Sequence, residues 1–218
     1  MIQLVYEAAK KCPSLNDVVV ATDDERIQQA VELFGGKVMM TKSSHESGTD
    51  RCAEVIEKLQ SQSNEHFDIA VNIQGDEPFI KTAQIEAVIA GFKDENTAIC
   101  TLAKKLVQEQ EIQDPNVVKV VKSNSGKALY FSRSPIPFVR NQDQENATVF
   151  FKHIGIYAYK TSSLTAISQL QQSVLEKAES LEQLRWLENG FTIQVQETNL
   201  ESIGIDTPSD LNKINTSK

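Results

Sequence analysis

The chain has 218 residues, 40% of them apolar and 24% charged, and its 30 acidic against 22 basic side chains give a net charge of −8. That composition excludes a collagen-like fibre, a disordered tail and a disulfide scaffold, and its negative field disfavours a general nucleic-acid partner. No apolar run approaches the roughly 18 residues of a membrane span, no signal-peptide pattern opens the chain, and Cys12, Cys52 and Cys100 lack metal-ligand spacing, so reduced thiols of a cytoplasmic protein are expected.

Ile2, Val5, Tyr6 and Ala9 recur at i, i+3, i+4 and i+7 and predict a helix from almost the first residue. Val18-Val19-Val20-Ala21 has the composition of a strand buried on both faces. Thr22-Asp23-Asp24-Glu25 reads as a capping box for a helix striped by Ile27, Ala30, Val31 and Phe34 and closed by Gly35-Gly36. Lys37-Val38-Met39-Met40 predicts a second strand, and Cys52, Val55, Ile56 and Leu59 a second striped helix after it. Ile69-Ala70-Val71-Asn72-Ile73 predicts a third strand, Ile85, Val88, Ile89 and Phe92 a further helix, and residues 97–103 a fourth strand. This alternation implies an α/β protein with a mainly parallel central sheet flanked by helices.

Beyond it the pattern changes. Val117-Val118-Lys119-Val120-Val121 and Ala128-Leu129-Tyr130-Phe131 flank the turn-like Ser123-Asn124-Ser125-Gly126 and predict a hairpin. Residues 142–148 are polar and breaker-rich, a loop, and residues 150–159 form a long strand or bent pair. Ser180-Leu181-Glu182-Gln183 reads as a second capping box, for a helix through Leu184 and Leu187 that stops at Asn189-Gly190, and residues 192–196 form a last strand. One domain, residues 1–218, with an inserted or appended smaller β lobe within about 115–190, is the expected organisation.

In open α/β sheets ligands bind beyond the carboxyl ends of the strands. Gln74-Gly75-Asp76-Glu77-Pro78 follows the third strand, and its adjacent carboxylates suit a hard cation such as Mg²⁺ as well as a plain strand-to-helix turn. Asp206 in Gly204-Ile205-Asp206-Thr207-Pro208 reads alone as a helix cap. The polar segment from Ser43 to Arg51 could present hydroxyls and amides to a base or phosphate, or be a capped loop. His45 and His153 are acid–base candidates or hydrogen-bonded structural residues. Arg133 follows an apolar strand, where a guanidinium needs an anionic or polar partner. Ser134 has no evident His–Asp partners, which removes a serine triad.

Taken in order, these segments resemble the 3-deoxy-manno-octulosonate (Kdo) cytidylyltransferase family. The resemblance is carried by Val20-Ala21-Thr22-Asp23, His45-Glu46-Ser47-Gly48-Thr49-Asp50-Arg51, Asn72-Ile73-Gln74-Gly75-Asp76-Glu77-Pro78 and Asp114-Pro115-Asn116-Val117-Val118-Lys119-Val120-Val121. It continues through Ala128-Leu129-Tyr130-Phe131-Ser132-Arg133, His153-Ile154-Gly155-Ile156-Tyr157, Leu181-Glu182-Gln183-Leu184-Arg185 and Gly204-Ile205-Asp206-Thr207-Pro208, so it runs through nearly the whole chain.

The resemblance implies a Rossmann-like nucleotidyltransferase fold and transfer of a cytidylyl group from CTP to Kdo, with release of pyrophosphate, for lipopolysaccharide biosynthesis. It implies Mg²⁺ held by Asp76 and Asp206, which with Arg133 form the catalytic set. It places Thr22, Asp23, Ser47, Gly48 and Thr49 on CTP, and Arg51, Gln74, Arg133, His153, Tyr157, Glu182 and Gln183 on the sugar acid, Arg133 and His153 facing its carboxylate. A homodimer is implied as well, with Val149-Phe150-Phe151 a contact or a piece of core. The family opens with a strand and a phosphate-gripping loop (Pro-Ala-Arg, then Ser, Arg, Pro, Gly, Lys) that this sequence does not contain. An N-terminally incomplete domain, poorly soluble, weak in CTP binding and inactive, is therefore expected. The competing readings are a cytidylyltransferase for a related acidic sugar and, from another class, a non-catalytic nucleotide- or sugar-binding module.

Overall fold

The computed structural model describes residues 1–62, 66–141, 148–201 and 204–205. Helix α1 (Ile2–Lys10) turns Val5 and Ala9 into the core, as its spacing predicts. Strands β1 (Val20–Thr22) and β2 (Val38–Met40) pair in parallel as a sheet of their own, from Val20↔Val38 to Thr22↔Met40. Between them runs α2 (Glu25–Leu33), and its cap is Asp24: the carboxylate accepts the Arg26 amide at 2.8 Å. The cap thus lies two residues beyond the predicted Thr22, at Asp24. Thr22 is still held in the β1 ladder, and its hydroxyl instead accepts the Asp24 amide at 3.1 Å. Of the predicted α2 stripe only Val31 is buried; Phe34 is half-buried against Tyr6, while Ile27 and Ala30 are exposed. Gly35 closes the helix at φ 74°, a left-handed conformation that favours glycine.

The larger sheet has six strands: β3 (Ile69–Asn72), β4 (Ile99–Lys105), β5 (Lys119–Lys122), β6 (Ala128–Ser132), β7 (Phe151–Lys160) and β8 (Ile193–Glu197). Their order is β6-β5-β7-β4-β8, with β3 also on β7. The sequence predicts a mainly parallel sheet; the observed sheet is mixed, because the ten-residue β7 returns through its middle. Strand β4 lines one edge of β7, while β5 (at Lys152) and β3 (from Tyr157 to Lys160) share the other. All three are antiparallel to β7, and β8 is parallel to β4, so β3, β4, β5 and β8 run the same way. The predicted hairpin is present as β5–β6, with Gly126 at φ 78° in its turn.

Strand β7 is apolar on both faces and therefore separates two cores. Tyr157 and Tyr159 point into one, with Phe131, Leu164, Leu184 and Trp186; Ile154, Ile156 and Ala158 point into the other, with Ile85, Val88 and Leu102. The first core is closed by α3 (Gly48–Gln62), α6 (Thr161–Ile167) and α8 (Glu182–Glu188), the second by α1 and α4 (Thr82–Ala90). Short helices α5 (Glu109–Gln113) and α7 (Val174–Glu179) complete the described chain. The second predicted capping box is displaced too. Ser180 ends α7 in the left-handed region (φ 52°) and α8 starts without a side-chain cap, whereas Ser173 and Glu176 form a reciprocal box at the start of α7. An elbow of two residues between α7 and α8 leaves Ser180 no extended conformation from which to cap.

Candidate active site

Helix α3 begins where the β2–α3 loop comes down beside the end of β3. Ser47 accepts the Asp50 amide at 3.1 Å and so caps the helix. Gly48 packs so closely that a Cβ there would lie 3.2 Å from Gln74 Nε2 and 3.3 Å from Asn72 Nδ2. Thr49 is buried, and its hydroxyl donates to Glu182 Oε2 at 2.9 Å. The loop before it is latched from α3. Arg51 pairs with Asp23 at 3.0 Å, donates to Thr41 Oγ1 at 2.8 Å and reaches the Lys42 carbonyl, so it ties the end of β1 to the end of β2. Asp23 and Arg51, expected on different substrates, are thus partners of each other.

The opposite wall is β7 with α8. Burial pushes the Glu182 carboxyl up, against the opposing pull of the Thr49 and Ser47 hydroxyls and the nearby Arg185 guanidinium. Arg185 donates to Glu182 Oε1 at 2.9 Å and to the Leu170 carbonyl at 2.8 Å, and Gln183 beside it is buried. Tyr157 stacks on Tyr159 and meets the edge of Trp186. His153 lies against Phe131 and Tyr157, and burial alone pushes its pKa down to about 3. The Thr101 hydroxyl sits 2.9 Å from His153 Nε2, 2.8 Å from the Ile156 carbonyl and 3.2 Å from the Ile154 carbonyl. Two carbonyls claim the hydroxyl proton, so Nε2 carries its own hydrogen and donates to Thr101, which leaves Nδ1 as an acceptor. A neutral imidazole in that tautomer takes a hydrogen bond from a hydroxyl and brings no charge to a carboxylate.

Asp76 lies half-buried in the turn after β3, where Gln74 is exposed and its carbonyl accepts the Glu77 amide. The Asp76 carbonyl accepts the Ile205 amide at 2.9 Å, so Ile205 is fastened to this turn. Asp206 itself lies outside the described residues. Among the described residues no three His, Cys, Asp or Glu side chains gather as a metal cage.

Residues 1–203 match the cytidylyltransferase family profile. The 3-deoxy-manno-octulosonate cytidylyltransferase of Bacteroides thetaiotaomicron is 52% identical over 217 residues, covering 97% of this chain and 84% of that protein. That of Thermodesulfovibrio yellowstonii is 50% identical, covering 97% and 85%. The chain belongs to the 3-deoxy-manno-octulosonate cytidylyltransferase family. Among solved structures, CMP:2-keto-3-deoxy-manno-octonic acid synthetase complexed with CTP superposes with a TM-score of 0.89 at 43% identity, covering 99% of this chain and 86% of that one. The 4-diphosphocytidyl-2C-methyl-D-erythritol synthase of Anaerococcus prevotii shares the fold alone, at 12% identity and a TM-score of 0.63.

Arg133, expected in the catalytic set and on the sugar acid, lies at the α7–α8 elbow. Its Nε, Nη1 and Nη2 each donate to a main-chain carbonyl, those of Glu179 (2.7 Å), Pro115 (3.1 Å) and Ser180 (3.4 Å). Its own amide and the Ser132 hydroxyl donate to the Glu179 carboxylate, and buried Lys119 donates to its carbonyl. In this arrangement Arg133 holds the α7–α8 elbow, two residues before Glu182. The sequence reading missed three further participants. Thr101 is the lone hydroxyl in the buried stretch of β4, and Arg185 follows Glu182 at i+3. Glu54 flanks the apolar stripe of α3 and has Lys58 at i+4, the spacing that could have flagged it.

Proposed function

We propose that the chain transfers the cytidylyl group of CTP to 3-deoxy-manno-octulosonate, giving CMP-Kdo and pyrophosphate on the route to lipopolysaccharide. The observation that carries this reading is the 2.9 Å bond from Thr49 to Glu182, which joins the segment matching the family's cytidine contacts to the helix matching its sugar-acid contacts. Two substrates that must meet at one phosphorus need such adjoining walls. The sugar's anomeric hydroxyl bonds to the α-phosphorus as the bond to pyrophosphate breaks, so alignment is the protein's main task.

In this reading Thr22, Asp23, Ser47, Gly48 and Thr49 receive the nucleotide. Asp23 is presented by Arg51, and the tight approach of Gly48 to Asn72 and Gln74 brings the nucleotide loop onto the β3 end. Glu182, Gln183, Tyr157, Gln74 and the Nδ1 of His153 receive the sugar, whose hydroxyls suit acceptors of this kind. Arg133 sets the elbow from which Glu182 projects. Asp76 and Asp206 would hold Mg²⁺. The fit rests on the Ile205–Asp76 bond, which brings Ile205 to the Asp76 turn, and on the preference of Mg²⁺ for one or two carboxylates plus substrate phosphates. When bound, the ion would offset charge on the phosphates.

The test is pyrophosphate release by the purified chain with Mg²⁺, CTP and Kdo. Release that needs both substrates, with CMP-Kdo as the co-product, supports the reading. Binding of CTP or Kdo without product would overturn it in favour of a binding module. We also infer a cytoplasmic homodimer. The free thiols Cys12, Cys52 and Cys100 fit a reducing compartment. Leu129 on edge strand β6, Phe138 and Val149 are exposed apolar side chains that a second copy would cover. Sedimentation at micromolar concentration should give twice the monomer mass; a monomer alone would refute the dimer.

A further inference from the structure

We propose that Glu54 is a positioning residue for nucleotide recognition, its carboxylate fixing the shape of the β2–α3 loop so that Ser47, Gly48 and Thr49 face the nucleotide. This rests on the function proposed above and adds a residue outside the motifs that carry it. Glu54 sits in the second turn of α3, facing inward and only 9% exposed. One oxygen accepts the Lys42 main-chain amide at 3.0 Å and meets His45 Nε2; the other accepts from Lys58 Nζ at 2.6 Å. Lys42 and His45 lie just before Ser47, so a single side chain of the helix grips the loop at two points upstream of the helix start. Lys58 in turn donates to the Met40 carbonyl at 2.7 Å, which ties the same carboxylate to the end of β2. Arg51, one turn earlier on α3, holds Thr41 and Lys42 from the other side. The loop is therefore shaped from the helix by two opposite charges at i and i+3, and Glu54 is the one that does not reach toward the β1 end.

The chemistry of the grip makes it specific to a carboxylate. All three neighbours can act as donors, and an amide in the same place would turn an N–H₂ toward one of them. Glu54→Gln keeps size and helix propensity while removing the acceptor that Lys42 or Lys58 needs. The expected result is a KM for CTP raised about tenfold, the worth of about one charge-assisted hydrogen bond, with kcat and the KM for Kdo within about twofold. Hydrogen exchange at residues 41–47 should quicken in the same variant while β4 and β7 stay protected. Lys58→Met, which removes the charge partner but leaves the bonds to Lys42 and His45, should keep the parent KM for CTP. Unchanged exchange at 41–47 in Glu54→Gln would overturn the proposal, and so would equal losses in both KM values and kcat, the mark of general destabilisation. Should the parent itself make no CMP-Kdo, the function proposed above fails, while exchange at 41–47 still decides whether Glu54 shapes the loop.

Discussion

The carbonyl of Asp76 accepts the amide of Ile205, so Ile205 is fastened to the turn that follows β3. The motive for treating Asp76 and Asp206 as a pair is the family motif, together with this contact at Ile205. Asp76→Asn keeps the backbone bond and the side-chain volume but removes a charge. Turnover is expected to fall by roughly 10²–10³-fold, the usual cost of removing one group that stabilises charge in the transition state, with an unchanged melting temperature. The same loss is expected for Asp206→Asn, and steady-state pyrophosphate release titrated with Mg²⁺ checks both; near-parental turnover would remove that residue from the metal site. At this scale the sequence singles out polar motifs that follow an apolar run, as at Thr22-Asp23 and at residues 74–78. It is silent where a residue acts through its packing. Nothing in the order of residues shows that Arg133 spends its nitrogens on three carbonyls, or that two carbonyls at the β-bulge opposite Thr101 set the tautomer of His153.

Helix ends show how elements depart from their local signals. Ser180-Leu181-Glu182-Gln183 has the letters of a capping box, yet Ser180 is held at φ 52° by the short elbow; Ser173, three residues before Glu176, makes the box instead. The two serines should respond oppositely. Ser173→Ala removes a cap and is expected to lose about 1 kcal/mol, a fall in melting temperature of about 2–4 °C for a chain of this length. Ser180→Gly relieves a left-handed residue and is expected to raise it. Calorimetry on the two variants decides between them; a loss at Ser180 as large as at Ser173 would restore the cap to Ser180. Apolar periodicity located α1, α3, α4, β3 and β4, which bury at least part of their stripe or run in one of the two cores, and it located β1 and β2 although Val38–Met40 is only half-buried and the pair forms a sheet of its own. It failed for α5, α6 and α7, which are five to seven residues long and too short to show a stripe.

For the whole molecule, alternation of strand and helix identified the α/β class but not the path of β7, since no local pattern says that a strand from the second half will enter between β3 and β4. That central strand carries His153, and with it a pH dependence of global stability. The unfolded chain takes a proton on this histidine near pH 6.5, whereas burial against Phe131 and Tyr157 delays protonation in the fold to about pH 3. The folded pKa is depressed, so the stability it confers is complete above about 6.5 and is lost as pH falls toward about 3. Asp24 and Glu54, each lowered to about 2 chiefly by hydrogen bonds from Arg26 and Lys58, lose their contribution as pH falls from the ordinary carboxylate range toward about 2. Glu182, raised by burial, has the opposite sign: its protonated form is the one the fold favours, so acid relieves it. Between pH 6.5 and 5 the histidine therefore dominates, and linkage gives a loss of about 2 kcal/mol over that interval. Urea unfolding across it should show a falling midpoint in the parent and a nearly flat one in His153→Gln, whatever the variant's absolute stability. Equal slopes in the two proteins would mean that His153 takes up its proton in the fold as readily as in the unfolded chain, and that its place beneath the sheet is open to water.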